Sequence, residues 1–452
     1  MSDKENIILV SWDSVRADHL SLYGYERETT PALNEVAADG LVFEDPQVPA
    51  VGTPASFTGM FTGEHASGSM EYPNPQHWQE ANANRVFLQE YLEEEGYYTG
   101  GFHFNALVSS SFGWGRGWDV YEDHMWNEDD SVDSGWKKQL YESLQKFDMA
   151  NFAVDLKRTM SGEEPPHWQK MWADIAEFVE EAPEPFFLWV LLIDTHHPYY
   201  PPAAYQKWDQ PGIRSTYARN YLMRRHRNLV GRRRQSIINA YDNTIRYADA
   251  FVDRLREKLA AEGYGADPLI VHSDHGDEFG EHANYGHRPL MYDTLTRVPL
   301  VMENIGEEGR VEGPTSLLDL GSTILDLAGS ETRPGGRPSL LGNERVDRDA
   351  VTVQNIMEDG ERMAAAVGNE WKVLYHPSGD WGARRFSQES WEAYNRKDDP
   401  MEEDNQWGEH PRDLEQVLRN QLDAELGAID SGNASDLDDE TEERLRELGY
   451  ID

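Results

Sequence analysis

Residues 6–12, NIILVSW, form a near-continuous apolar run close to the N-terminus. Such a run suits a parallel strand buried on both faces, because it has no polar side to show to water. Residues 186–193 (FFLWVLLI) and 269–272 (LIVH) repeat the pattern, and each leads into a polar cluster, DTHHPY and SDHGDE. Before the last run, Ile237, Ile238, Tyr241, Ile245, Ala248, Val252 and Leu255 recur at helical spacing. Strands alternating with helices predict an α/β fold with a mainly parallel sheet. Ligands in such sheets bind at the carboxyl ends of the strands, where the polar clusters fall. Residues 316–329 read as a helix, and a Gly/Pro-rich break follows at 333–338. Strand-like runs at 351–357 and 371–375 then predict a smaller antiparallel unit. The expected division is a main α/β domain over residues 1–330 and a smaller α+β subdomain over 331–452. Residues 110–170, rich in Trp and charge with weak periodicity, read as an insertion or lid, and 430–443 as part of an acidic tail.

Composition narrows this picture. The 452 residues exceed what one hydrophobic core usually spans, and 38% hydrophobic residues with 14 Trp and 21 Tyr make a packed core feasible. The formal net charge is -42, from 83 acidic against 41 basic residues. Aromatic content this high excludes an acidic disordered chain and points to a folded protein with a densely acidic surface, as in salt-adapted proteins. The same charge excludes nucleic acid as an expected partner, because phosphates are repelled. There is no cysteine, so disulfides, thiolate metal sites and cysteine nucleophiles are excluded. No run approaches about 18 apolar residues, and the opening MSDKENIILVSWD lacks the form of a signal peptide, so no membrane span and a cytoplasmic location are expected. One basic cluster, Arg224, Arg225, Arg227, Arg232, Arg233 and Arg234, stands out; it reads as a surface patch pairing with the acidic skin, with recruitment of a polyanion as the alternative.

The chemistry concentrates at the strand ends. Asp13 follows the first run, and Asp274 and His275 follow the third. Two carboxylates and an imidazole at neighbouring strand ends make an oxygen/nitrogen metal site. Thr53, before Pro54, reads as the N-cap of a helix over 54–61. A hydroxyl at a helix N-terminus sits in a positive field suited to anions and to an alkoxide. Arg16 is expected to pair with Asp18, with anion binding as the alternative.

The whole chain resembles the sulfatase family. NIILVSWDSVRADHLSLYGY looks like that family's first strand and metal loop, and GTPASFTGMFTG like its Cys-x-Pro-Ser-Arg…Thr-Gly signature, which puts the nucleophile slot on Thr53. LIDTHHPYYPP, VHSDHGDEFGEH, GHRPLMYDTLTRVPLV, SLLDLGSTILDLAG and ERLRELGYI resemble further family blocks in family order. The resemblance implies an alkaline-phosphatase/sulfatase-like three-layer sandwich with a smaller C-terminal antiparallel domain. It implies one divalent cation, calcium, magnesium or manganese with zinc as the alternative, held by Asp13, Thr53, Asp274 and His275. It gives His196 and His287 the oxygens or the leaving group of an anionic ester, adds Asn105 to the pocket lining, and leaves His197 as a structural or exposed neighbour.

The chain departs from the family pattern at several positions. Ser14 stands where sulfatases carry a second aspartate, Phe57 where they carry an arginine, and His287 where they carry a lysine. Threonine cannot become the formylglycine that expels sulfate by collapsing to an aldehyde, so a Thr53 ester must be cleaved by water. The expected function is metal-dependent hydrolysis of sulfate or phosphate esters, with a phosphotransferase or a silent anionic-glycan binder as alternatives.

Overall fold

The computed structural model describes residues 4–66, 75–124, 167–213, 231–356, 361–381, 384–386 and 388–429. Ten strands lie in its first three-quarters: β1 (Ile7–Trp12), β2 (Leu41–Gln47), β3 (Tyr98–His103), β4 (Val120–Glu122), β5 (Phe186–Leu192), β6 (Leu269–Ser273), β7 (Glu278–Phe279), β8 (Tyr285–Gly286), β9 (Leu300–Glu303) and β10 (Gly309–Ser316). Eight of them form one sheet in the order β10-β2-β9-β6-β1-β5-β3-β4. It is parallel throughout except for β9, which runs antiparallel to both neighbours. β7 and β8 make a separate two-stranded ribbon.

The apolar runs are buried because the sheet is covered on both sides. Ile7 and Leu9 of β1 and Phe187, Trp189 and Leu191 of β5 enter one core. Ile8, Val10 and Trp12, with Phe186, Leu188, Val190 and Leu192, enter the other. This is the period-2 alternation of a strand with two apolar faces. The long helix Arg232–Glu262 covers the second face, and its Ile237, Tyr241, Ile245, Ala248, Val252 and Leu255 are all buried. Helices Thr53–Thr62 and Leu320–Leu327 cover the first. Three layers result.

β11 (Ala350–Ile356), β12 (Arg362–Gly368), β13 (Trp371–His376) and β16 (Ser390–Asn395) form a four-stranded antiparallel sheet, with β14 (Gly379–Trp381) and β15 (Arg384–Phe386) as a hairpin between its last two strands. One face, with Val351, Val353, Met363, Ala365, Val367 and Leu374, joins the first core of the main sheet. The other face packs Ala364, Ala366 and Val373 against Leu414 and Leu418 of helix Arg412–Ile429. At its edge the Asn355 side chain bonds both backbone groups of Val51 at 2.8 Å, and Gln354 N–H donates to Pro49 O at 3.0 Å.

The expected insertion at 110–170 is described only up to 124 and from 167; there β4 lies parallel to β3 at the sheet edge. The rest of that segment, Arg224, Arg225 and Arg227, and the acidic stretch 430–443 lie outside the described residues. Among the described residues, no helix is long and apolar enough to cross a membrane.

Candidate active site

β1 sits between β5 and β6, with Trp12 opposite Leu192 on one side and Ser273 on the other. The three chains therefore leave the sheet side by side, and the polar clusters that follow them converge. Asp13 N–H donates to Leu192 O and Asp274 N–H to Trp12 O, which extends the sheet by one residue before the loops diverge.

Asp13 is wholly buried. Its Oδ1 accepts from the Ser14 hydroxyl at 2.8 Å and its Oδ2 from Asn105 Nδ2 at 2.8 Å. Ser14, in the left-handed region at φ 64, also donates its backbone N–H to Asp274 Oδ1 at 3.0 Å. The residue that replaces a second aspartate thus holds both remaining carboxylates. Asp274 Oδ1 accepts a second bond from His275 N–H at 2.9 Å, whereas Asp274 Oδ2 has no hydrogen-bond partner. His275 Nδ1 donates to Gly276 O at 3.0 Å, which leaves Nε2, and that atom also has no partner. The two orphaned atoms lie 3.6 Å apart in a fully buried site. Buried polar groups without partners are costly, and this spacing fits two ligands at about 2.0–2.4 Å from one ion. The residues present therefore fit a divalent cation. Burial pushes the Asp274 carboxyl up, His275 opposes the rise and Asp13 adds to it. His275 is raised despite burial, because Asp274 and Asp13 favour its charged form. Asp274 and His275 thus retain protons more readily than isolated groups would.

Helix Thr53–Thr62 brings the hydroxyl to this cluster. Thr53 is not the N-cap expected from the sequence but the first helical residue; the cap is Gly52. The reason is backbone geometry. Gly52 adopts φ 105, ψ 139, which a β-branched residue cannot reach without strain and glycine can. Thr53 is 4% exposed, and its Oγ1 lies 3.5 Å from Asn105 Nδ2, the same nitrogen that binds Asp13. Asn105 is fixed from its other end, since its Oδ1 accepts from Leu107 N–H at 2.9 Å. Ser56, one turn along, donates to Asp274 O at 2.7 Å and ties the helix to the β6 loop. Phe57 turns the other way into the core, with ring centroids 5.2 Å from Trp189 and 5.9 Å from Phe61.

A second group borders the first. His196 and His197 stack at 4.3 Å, and the His287 centroid is 5.1 Å from His196 and 4.5 Å from His275. Asp277 stands behind them, accepting from His287 Nδ1 at 2.8 Å and from the Tyr199 hydroxyl, with His197 Nδ1 at 3.6 Å. Burial alone would raise Asp277, but His287 and His197 hold it well below the usual carboxylate range. Burial and the neighbouring His275 push His287 down to about 4; burial and His197 lower His196.

The structure thus gathers Asp13, Thr53, Asn105, His196, Asp274, His275 and His287 in one place. Asp277 was missed, although it lies inside a strand-end cluster, and His197, expected to be a structural or exposed neighbour, stacks on His196. Asp194, in the same motif, turns away and accepts from Trp168 N–H and His167 Nδ1, each at 3.2 Å. Arg16 is buried and pairs with Asp18 at 2.7 Å as expected, and additionally with Glu281 at 3.1 Å. Arg234 likewise pairs with Glu281, at 2.9 Å.

A family model described as Sulfatase matches residues 5–330. The uncharacterized sulfatase YidJ of Escherichia coli (strain K12) is 26% identical over 366 residues, covering 76% of this chain and 70% of that protein. An arylsulfatase of Clostridium perfringens (strain 13 / Type A) is 24% identical over 370 residues, covering 72% and 75%. Among solved structures, an enzyme in complex with its substrate D-glucosamine-2-N,6-O-disulfate superposes with a TM-score of 0.66 at 16% identity, over 96% of this chain and 100% of that one. The phosphonate monoester hydrolase of Agrobacterium radiobacter gives 0.63 at 17% identity, over 94% and 95%. The chain belongs to the sulfatase family, a branch of the alkaline-phosphatase superfamily whose members hydrolyse sulfuric and phosphoric esters.

Proposed function

We propose that this chain hydrolyses sulfate or phosphate esters in two steps through an ester of Thr53. The observation that carries the reading is the pair of orphaned atoms, Asp274 Oδ2 and His275 Nε2, buried beside a threonine hydroxyl at a helix N-terminus. Asp13, Asp274, His275 and Thr53 are the residues that would hold a divalent cation, which supplies Lewis acidity toward the hydroxyl and the ester.

Thr53 Oγ1 attacks sulfur or phosphorus. A bond forms to Oγ1 as the bond to the alcohol oxygen breaks and the alcohol departs. A water then attacks the Thr53 ester and releases sulfate or phosphate. Asn105 holds the Asp13 carboxylate in place and lies against the nucleophile. The positive end of the Thr53–Thr62 helix favours the anionic group at its N-terminus. His196 and His287 line the side on which the ester oxygens and leaving group would lie. Phe57 supplies no guanidinium, so the charge of the ester must be met by the cation and the positive end of the helix.

The test is a panel of aryl sulfate, phosphate monoester, phosphodiester and phosphonate, assayed with several divalent cations in high salt. Turnover of at least one class, with a sulfo or phosphoryl group trapped on the Thr53 peptide and detected by mass spectrometry, is expected. Turnover without an adduct at any time, and undiminished in Thr53→Ala, refutes the covalent route. A product in which the group has moved to glycerol or a sugar in place of water would establish the transferase instead.

A further inference from the structure

The ribbon of β7 and β8 carries Asp277 immediately before it and His287 immediately after, and the register of Glu278 opposite Gly286 sets these two residues side by side. The turn that closes the ribbon is one its own residues disfavour. His282 and Ala283 are consecutive non-glycine residues in the left-handed region, at φ 50 and φ 58, which side chains with a Cβ enter only under strain. A contact from outside the turn must hold it there.

That contact is made by the His282 side chain, which is 5% exposed. Its Nδ1 lies 2.5 Å from Glu278 Oε1, and its Nε2 lies 3.0 Å from Met401 O and 3.2 Å from Glu402 O, in the loop after β16. Carbonyl oxygens only accept. Both oxygens of Glu278 accept as well, Oε1 from the Thr294 hydroxyl at 3.0 Å and Oε2 from Asn284 Nδ2 at 2.7 Å. Both ring nitrogens of His282 therefore donate, and the ring is an imidazolium. Burial opposes this charge, but Glu278 and then Glu402 raise the group above its ordinary value. The ring also lies flat on Tyr292, with centroids 3.6 Å apart and planes 8° apart, and an aromatic face favours a cation. The Tyr292 hydroxyl is fixed in turn by Glu392 Oε2 of β16, at 2.7 Å. Lys372 of β13 stands beyond Glu402, 3.4 Å from its Oε1. His282 thus faces two carboxylates, two carbonyls and one aromatic ring.

We propose that the His282 imidazolium is a positioning residue for ester hydrolysis: it pins the tip of the ribbon to the loop after β16 and so fixes the angle at which Asp277 presents His287 to the ester. One hairpin then needs a charged histidine at its tip and a neutral one at its base, where burial and His275 push His287 down to about 4. A neutral His282 has a single donor. It leaves either Glu278 or the two carbonyls unmet, and the strained turn is free to relax. The proposal rests on the reading of the strand-end site as the ester site.

Two measurements test it. In protein labelled with nitrogen-15 histidine, the His282 ring, assigned through its contact with Tyr292, should carry protons on both nitrogens at about pH 7.5, where an ordinary imidazole is neutral. This is read without substrate, so failure of the ester reading and failure of this proposal are told apart. His282→Asn keeps a donor toward Glu278 and loses the one toward Met401. It should lower kcat by about 10–100-fold, the scale of a displaced catalytic group, with KM changed less. In a His287→Gln background the same substitution should change kcat by less than about twofold, because the residue it positions is already gone; a merely structural loss multiplies through both backgrounds. Equal fold losses in the two backgrounds, a wild-type kcat in His282→Asn, or a His282 ring with one proton at that pH each overturn the proposal. Should the asparagine variant not fold, as read by its melting curve, His282→Gln, which keeps a donor toward Met401 in place of the one toward Glu278, goes through the same comparison, and the wild-type ring still decides the charge.

Discussion

Replacing Thr53 with alanine removes Oγ1 and Cγ2 from the first residue of helix Thr53–Thr62. Because Gly52 is the cap, no capping bond is lost. The buried methyl accounts for about 0.8 kcal/mol. The hydroxyl contact with Asn105, at 3.5 Å, is beyond the usual hydrogen-bond range and adds little. Alanine also returns roughly 0.5 kcal/mol of helix propensity. The net change in stability should fall within about 1 kcal/mol, small against the roughly 5–15 kcal/mol that holds a domain. Losing an attacking group is far larger, about 10⁴–10⁶ in rate, or about 5–8 kcal/mol of transition-state stabilisation. Thr53→Ser keeps the oxygen and should retain measurable turnover. Steady-state rates on a substrate the wild type accepts, read beside melting curves of all three proteins, separate the two scales. A Thr53→Ala protein turning over near the wild-type rate would refute the reasoning and leave water as the attacking group.

Phe57→Arg, which restores the family residue, should destabilise by roughly 4 kcal/mol or more, since it places an unpaired charge among the Trp189, Phe61 and Trp114 rings; denaturant unfolding within about 1 kcal/mol of wild type would contradict this. Melting temperature should rise from low to molar potassium chloride, because counterions screen the repulsion behind a net charge of -42, and a flat or falling curve would overturn the expectation. His103 should remain neutral at pH 5 by NMR, since burial lowers it to about 3 and both ring nitrogens are engaged, Nδ1 by Asn105 N–H and Nε2 by Tyr121. Its folded value lies below the unfolded 6.5, so its contribution to stability is present above 6.5 and lost as pH falls from there toward 3. His103→Gln should therefore flatten the acid limb of the stability profile, and an unchanged limb would count against it.

The central strands were legible because β1, β5 and β6 bury both faces and carry no punctuation. β3 was not, for a physical reason. Its sequence YTGGFH carries two glycines, which normally mark a turn. Here a Cβ at Gly100 would sit 2.4 Å from the Phe178 ring, and one at Gly101 2.7 Å from Tyr121. The glycines make room for aromatic rings above and below an ordinary strand, and that need arises only from partners distant in sequence. The fold class and the grouping of Asp13, Asp274 and His275 could be read from strand-end acids and family motifs. The Thr53 cap was misjudged because Gly52 takes a φ that no local pattern announces. Asp277 escaped because three acidic residues follow β6 within five positions, Asp274, Asp277 and Glu278, and their targets differ only in three dimensions.

The clasp between Asn355 and Val51 bears on where this protein ends in a functional sense. The family model stops at residue 330, yet Asn355 grips the backbone two residues before Thr53, and Gln354 holds Pro49. The approach to Thr53 is thus a bridge with one abutment in the main sheet and the other in the small one. A chain cut after residue 330 would retain every residue assigned to the reaction and lose the support that aims one of them. Homologues whose C-terminal sheets differ could, by the same coupling, differ in reactivity while sharing an identical set of catalytic side chains.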